Sequence, residues 1–439
     1  MTSPTADRPH GLLEDVPKIF SSHDIRNICF EEGVDDVGFV EINRKELGRV
    51  NEEVLRLYPK TKTIISICKR MNPENIQGIS RSLANNEFHR TNDELSTISR
   101  QIVQRVNQMG IRALYCHPGF PMDQYMLSGK QWEISHKPIA EQAGIGRTGI
   151  NRNILHPKYG SFILLDSILI DSELDKYNHP LDYNPCVSCQ LCVSVCPVGA
   201  IHPDKPFDFN ACMTHNYRDF MGGFEDWVQN IVSSKTVKEY KERVPGDESI
   251  SKWQSLSFGA QYKSAYCMAV CPAGEDLIDI YKKRRNEWVQ QIVRPQKEKK
   301  EPVFVQKGTN AEKHARLNRN KEVRIVDNII RPQSINGFLT GARITFEPRR
   351  AEGVNMTVHL AFTSKESRTA TIVINKGTIE VTDGFKEKAD LKIECDSEQW
   401  LKIINKEIST FGVLKLMLTH RMKIKGNRKL LRKFQNVFV

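Results

Sequence analysis

Residues 1–165 alternate between two hydrophobic periods. FSSHDIRNICFEEG places apolar residues at helical spacing behind a serine cap and predicts an amphipathic helix ending at Gly33. DDVGFVEI predicts a strand, and the isoleucine run of TKTIISICKRM predicts a buried one. Helical spacing returns over residues 87–110, and IRALYCHPGF predicts another strand that runs into a Pro-Gly turn. His136 to Gln142 read as a helix and SFILLDSILID as a strand. Between them Gly144, Gly146 and Gly149 make a loop where backbone can approach a neighbour closely. The sum is a mixed α/β domain over residues 1–175. No glycine-rich phosphate loop of the Walker or dinucleotide type occurs in it, so a Rossmann cofactor finds no support.

The pattern changes at residue 330. RITFEP, MTVHLAFTS, TATIVINKGTIEV and ADLKIECD read as strands, with NKG as a hairpin signal. SEQWLKIINKEIS predicts a helix capped at Ser397, and the remainder predicts a second helix, a short strand and a terminal helix. A small curved sheet with amphipathic helices on one face tends to enclose an apolar tunnel. Residues 282–329 separate this domain from the rest. They are rich in charge, poor in apolar residues and punctuated by proline, which predicts a solvated basic linker.

The chemistry is concentrated in residues 176–281. NPCVSCQLCVSVCPVGAI sets Cys186, Cys189, Cys192 and Cys196 in a C-x2-C-x2-C-x3-C-P run, the ferredoxin spacing for cubane iron–sulfur clusters. Zinc ribbons use paired C-x2-C motifs instead. In such a run the fourth cysteine reaches a different cluster from the first three. Ferredoxin wiring then gives Cys186, Cys189, Cys192 and Cys271 to one [4Fe-4S] cluster, and Cys196, Cys212 and Cys267 to a second. SAYCMAVCPAG carries Ser264 where a full second motif has a cysteine. The second cluster is therefore a [4Fe-4S] centre with a non-cysteine ligand, Ser264 or His215 among the candidates, or a [3Fe-4S] centre. The stretch between Cys212 and Cys267 reads as an amphipathic insert, whose Trp227, Trp253 and Phe258 serve either core packing or a cap on the site.

Composition narrows the class further. Of 11 cysteines, seven lie between 186 and 271, which points to metal ligation in a reducing compartment and not to disulfides. Cys29, Cys68, Cys116 and Cys395 are expected to be ordinary buried thiols. No secretory leader and no apolar run near the roughly 20 residues that span a bilayer is evident, so a cytoplasmic location is expected. The net charge is +11, and Lys415 to Lys433 hold eight basic residues and no acidic one. Aromatic platforms for single strands are missing from the basic run at 282–329, so nucleic acid is not an expected partner. Acidic donor proteins or an anionic membrane surface suit the charge better.

AGIGRTGINRNILHPKYGS, a strand ending in Asp, and then the cysteine run resemble the corrinoid-dependent reductases, which include epoxyqueuosine reductase and the reductive dehalogenases. The resemblance covers about residues 20–275. It implies a nitroreductase-like α/β domain carrying cobalamin beside a two-cluster module. Gly144, Gly146, Gly149, Asn151, Pro157 and Gly160 would then shape the corrinoid pocket. The proton-donating Asp of epoxyqueuosine reductases has no clear counterpart here; Tyr125 and Lys130 stand in the matching neighbourhood as the donor pair that dehalogenases use. ADLKIECDSEQWLKII and MKIKGNRKLLRKF resemble the SCP2-like sterol-carrier domain, which implies an apolar lipid-like ligand or a homodimer contact. The expected architecture is α+β multidomain: a nitroreductase-like domain, a ferredoxin-like two-cluster module and a small SCP2-like domain. The expected activity is reduction, such as dehalogenation or deoxygenation, of a large apolar, steroid- or lipid-like substrate, with ferredoxin or flavodoxin as electron donor. The alternative is an electron-transfer or lipid-carrier protein without corrinoid or catalysis. A tRNA-modifying activity is the third reading.

Overall fold

The computed structural model describes residues 19–438 except 121–131, 187–188, 205–206, 263–265, 318–320, 327–331, 333, 352 and 406. In the N-terminal domain α1 (Ser22–Glu31) is capped by Ser21, whose side chain accepts from the Asp24 N–H. The sheet is built from β1 (Asp36–Glu41), β2 (Thr63–Arg70), β3 (Ala113–Tyr115) and β4 (Ile163–Ile170), in the order β1-β2-β4-β3 and antiparallel throughout. One face packs Phe39, Ile65, Ile67, Ile168 and Ile170 against α1 and the long helix α2 (Arg81–Gln108). The other packs Val40, Ile64, Cys68 and Leu169 against α3 (His136–Gln142). Burial on both faces explains why these strands read as continuous apolar runs and not as the alternation of a half-solvated antiparallel sheet.

The centre of this domain holds a titrating pair. Asp166 accepts from Ser99 Oγ at 2.5 Å and from the Ser167 N–H at 2.7 Å, while His136 bonds Ser167 Oγ at 2.9 Å and the His117 carbonyl at 3.0 Å. Burial lifts the Asp166 carboxyl from 3.8 to about 8, and burial also lowers the His136 imidazole from 6.5 to about 4. Between pH 4 and 6.5 the unfolded chain carries one proton on this pair (on His136) and the folded chain carries one (on Asp166), so stability is flat. From about 6.5 to about 8 the folded chain alone still holds a proton, and stability falls as pH rises, by about 2 kcal/mol across the window. Asp166→Asn keeps the acceptor for the Ser167 N–H, turns the Ser99 bond round so that Nδ2 donates to its Oγ, and removes that slope. Urea midpoints of the variant are expected to be level across this window while those of the parent decline.

The cysteine module follows, with α4 (Leu191–Val195), α5 (Phe209–Asn216), an insert of three helices α6 (Gly223–Ser233), α7 (Val237–Arg243) and α8 (Gly246–Phe258), then α9 (Tyr266–Ala269) and α10 (Glu275–Lys283). The insert is held by buried charges. Lys252 Nζ lies 2.6 Å from Asp219 with both side chains almost fully buried, and Arg218 lies 2.7 Å from Asp226.

Residues 282–329 are not a solvated linker. Helical turns run from 285 to 298, and β5 (Val303–Gln306) pairs in parallel with β6 (Val323–Val326) across α11 (Asn310–Leu317). Val303, Phe304 and Val305 are buried, and Val303 and Val305 pack with Val198, Ala200 and Ala211 of the module. A three-residue apolar run, Val303 to Val305, inside a basic segment is enough to make a strand once the module supplies a face to cover it. Arg81 and Tyr266 both reach Glu301 (2.7 and 2.8 Å), which ties α2, α9 and this strap together.

The C-terminal domain has a five-stranded sheet of β7 (Asn355–Thr363), β8 (Arg368–Asn375), β9 (Thr378–Asp383), β10 (Leu391–Asp396) and β11 (Met422–Gly426), in the order β9-β8-β7-β10-β11 with β7 and β10 parallel. The stretch RITFEP is not a strand. Arg343 to Thr345 end the helix α12 (Ile335–Thr345), in which Ile335, Phe338, Leu339 and Ala342 recur at helical spacing behind the Ser334 cap and join the domain core. Three further helices, α13 (Ser397–Ile404), α14 (Thr410–Leu418) and α15 (Arg428–Asn436), complete the domain. No helix of the described residues is long and apolar enough to cross a membrane.

Candidate metal centre

Helix α4 begins after Gln190, held at φ 55, and Cys196 closes it before Pro197. The chain then curls around the Cys196 sulfur. The Ala200 N–H lies 3.3 Å from Cys196 Sγ, and the N–H groups of Val198, Gly199 and Ile201 also face it. A concavity of backbone N–H groups favours a thiolate.

Two distant pieces of chain supply the first set of sulfurs. Cys186, Cys189, Cys192 and Cys271 line one small pocket together with Asn151, Leu155 and Pro272. Cys271 is brought there by a tight dock between the N-terminal domain and the segment Pro272–Gly274. The Glu275 N–H donates to the Pro157 carbonyl at 2.9 Å, and Arg70 pairs with Asp276 at 2.9 Å. Among the described residues no three Cys, His, Asp or Glu side chains converge as they would on a single ion; here the four cysteines line the walls of a hollow.

Cys196, Cys212 on α5 and Cys267 on α9 form the second group, each close enough to perturb another's ionisation. Cys192 of the first group also feels Cys267, so the two groups adjoin. Burial pushes the Cys271 thiol up to about 12 and the Cys267 thiol to about 11, and raises Cys192 and Cys212 as well. Thiols in such surroundings deprotonate when a metal centre supplies the compensating positive charge. Seven buried or half-buried cysteines in two adjoining groups are a donor set that fits iron–sulfur clusters.

His215 lies one turn beyond Cys212, and its Nδ1 accepts from the Phe304 N–H at 3.4 Å, toward the strap. Ser264, Tyr125 and Lys130 lie outside the described residues. The six residues expected around a corrinoid are placed differently from one another. An added Cβ would meet backbone of the His179, Leu155 or Ala273 segment at 2.7 Å from Gly144, 2.5 Å from Gly146 and 1.8 Å from Gly160, and the Leu155 side chain at 2.7 Å from Gly149. Their bare faces are thus filled by the chain itself. Pro157 takes part in the dock, and Asn151 faces the cysteine pocket.

Beside the second group lies a nest of half-buried rings that the linear pattern did not reveal. Phe88 comes from α2, Phe120 and Trp132 flank residues 121–131, and Tyr217, Phe220 and Tyr262 come from the module. Ring centroids are 3.9 Å apart for Phe88 and Tyr262, 4.3 Å for Phe120 and Phe220, and 5.7 Å for Trp132 and Tyr217. Burial raises the pKa of the Tyr217 hydroxyl, with Cys212 and Cys267 adding to it, so the nest and the second group are neighbours. These rings come from four separated segments, each unremarkable alone. Trp253 and Phe258 are instead exposed on the insert, and Trp227 donates to the Tyr240 hydroxyl at 2.8 Å.

Comparison with known proteins accords with this geometry. The 4Fe-4S binding domain matches residues 179–202, and the SCP-2 sterol transfer family matches residues 346–439. An epoxyqueuosine reductase of Cellulophaga algicola is 25% identical over 186 residues, which are 39% of this chain and 56% of that protein. One of Francisella cf. novicida is 32% identical over 83 residues, 19% of this chain and 23% of that protein. The chain thus spans about half, or less, of the length of the curated relatives it matches. A solved catabolic reductive dehalogenase aligns at a TM-score of 0.38 and 15% identity, over 62% of this chain and 34% of that one. The chain is therefore a multidomain α+β protein that is similar over part of its length to the epoxyqueuosine reductases, with matches to the 4Fe-4S binding domain and the SCP-2 sterol transfer family.

Proposed function

We propose that this chain is an oxidoreductase in which electrons pass from the pocket of Cys186, Cys189, Cys192 and Cys271 to the site of Cys196, Cys212 and Cys267, and leave toward an apolar substrate at the aromatic nest. The observation that carries this reading is the sequence of adjoining sites: a four-cysteine pocket, a three-cysteine group beside it, and the rings beside that group. Iron–sulfur clusters held by these cysteines supply one-electron transfer at low potential. The chain contributes the rest. The dock at Pro157–Ser161 holds Cys271 beside Cys186, Cys189 and Cys192, and the strap packs against Cys196 and Cys212. The rings offer a flat apolar substrate several π faces at the electron exit. A small acidic carrier of the ferredoxin or flavodoxin kind suits the charge of +11 as donor. The C-terminal domain, by its likeness to sterol carriers, favours a lipid-like substrate.

Anaerobic reconstitution followed by iron and sulfide analysis tests this. About eight irons per chain, and two reducible signals in electron paramagnetic resonance, are expected. A count near four would remove the second site and with it the relay. Incubation with hydroxocobalamin, desalting and an absorbance spectrum decide whether a corrinoid intervenes before the substrate: retention would place one between the second site and the substrate, and none retained would leave direct transfer from the second site.

A further inference from the structure

Asn151 is 5% exposed, and its side-chain nitrogen is buried without a hydrogen-bond partner among the described residues. Its orientation is determined by its own turn. Asn151 Oδ1 accepts from the Asn153 N–H at 3.1 Å, within a loop closed by the Gly149 N–H to the Asn153 carbonyl (2.9 Å) and the Arg152 N–H to the Gly149 carbonyl (2.9 Å). Flipping the amide would place an NH₂ against a backbone N–H, so Nδ2 is the atom left over. The residue also forms part of the wall around Cys186, Cys189, Cys192 and Cys271, where the only other amide, Gln190, is exposed. A buried donor without a partner is destabilising, and such groups in native proteins generally have a reason.

We infer that Asn151 donates a hydrogen bond from Nδ2 to a sulfur of the cluster held in this pocket and so sets that cluster's reduction potential. Hydrogen bonds to cluster sulfurs stabilise the more negative, reduced state and raise the potential. Asn151 is a positioning and tuning residue in this role, since it touches neither substrate nor a reacting bond. The inference rests on the reductase reading above, because it needs a cluster in the first pocket.

The test is a redox titration followed by electron paramagnetic resonance on reconstituted full-length protein, comparing the parent with Asn151→Leu and Asn151→Asp. Leu matches the volume and lacks the donor; Asp keeps the Oδ1 acceptor and lacks the donor. Both are expected to lower the first cluster's midpoint, so that its reduced-to-oxidised ratio at a fixed potential falls about five-fold or more. Iron content and the second cluster's midpoint should stay unchanged. A parent-like first midpoint in Asn151→Leu at full iron content would overturn the inference. Should a variant fail to load iron, the parent protein still decides. Electron–nuclear double resonance on the reduced parent should find a proton coupling to the first cluster that is lost on exchange into D₂O, and a nitrogen coupling that changes when asparagine is labelled with ¹⁵N at its side-chain amide; absence of that asparagine coupling would overturn the inference too. A parent that holds no iron at all would refute the reductase reading itself, which separates the two failures.

Discussion

Cys271→Ala is expected to leave about four irons per chain in place of about eight, and to abolish electron delivery from an external donor. Cys271 is the one sulfur of the first pocket that does not come from the run 186–192. The other three lie close in sequence and retain their spacing in any conformation of α4. Cys271 closes the pocket from the opposite side, beside Ser161 of the N-terminal domain, whose Oγ donates to the Met268 carbonyl at 3.1 Å. Without Cys271 three thiolates face an open corner, and an iron held there is exposed to solvent. The second group contains none of these atoms and should keep its cluster. The variant should thus show one signal in electron paramagnetic resonance after dithionite, which reaches the second site directly, and none of the reduction that depends on a protein donor. Loss of both signals would mean that the two sites do not assemble independently.

Gly160→Ala is expected to destabilise the union of the N-terminal domain and the module by about 3 kcal/mol or more. Gly160 sits at φ +58, where a side chain is strained, and its Cβ would lie 1.8 Å from the Ala273 carbonyl oxygen. Neither group is the end of a flexible side chain, so the backbone itself must move. The Gly160 N–H and carbonyl both bond His156 across a small bridge, which leaves the loop little freedom to yield. Movement of Ala273 would pull on Cys271 two residues away. The chain should therefore unfold at a lower urea concentration and also load less iron at the first site, while Gly110→Ala, at positive φ but with nothing within 4 Å, should show only the backbone penalty of about 1 kcal/mol. Equal effects of the two substitutions would mean that the dock is not rigid.

Much of the molecule was legible in one dimension because it follows local rules. The spans of β2, β4 and α3 follow from period and length, and the cysteine spacing announces iron–sulfur chemistry by itself. What misled was context. The strap is basic by composition, yet Val303, Phe304 and Val305 become a strand because Val198, Ala200 and Ala211 present an apolar face to two of them. RITFEP holds β-branched residues, yet it ends a helix because the residues before it, Ile335 to Ala342, carry the helical period. The glycines around 144–160 signal close approach correctly, but the sequence cannot say to what. The partner is the chain's own backbone.

The sequence by itself determined the kinds of atoms available: seven clustered thiols in a ferredoxin order, a mixed sheet domain before them and a small sheet domain after. Spacing along a chain constrains ligands a few residues apart, so the first three cysteines were already a unit. Only the tertiary structure decided that Cys271 completes their pocket, that aromatic rings from four separated segments meet beside Cys212 and Cys267, and that Asn151 lines the first site. Those outcomes depend on how far-apart segments dock, which burial and hydrogen bonding across the whole fold settle and no local pattern encodes.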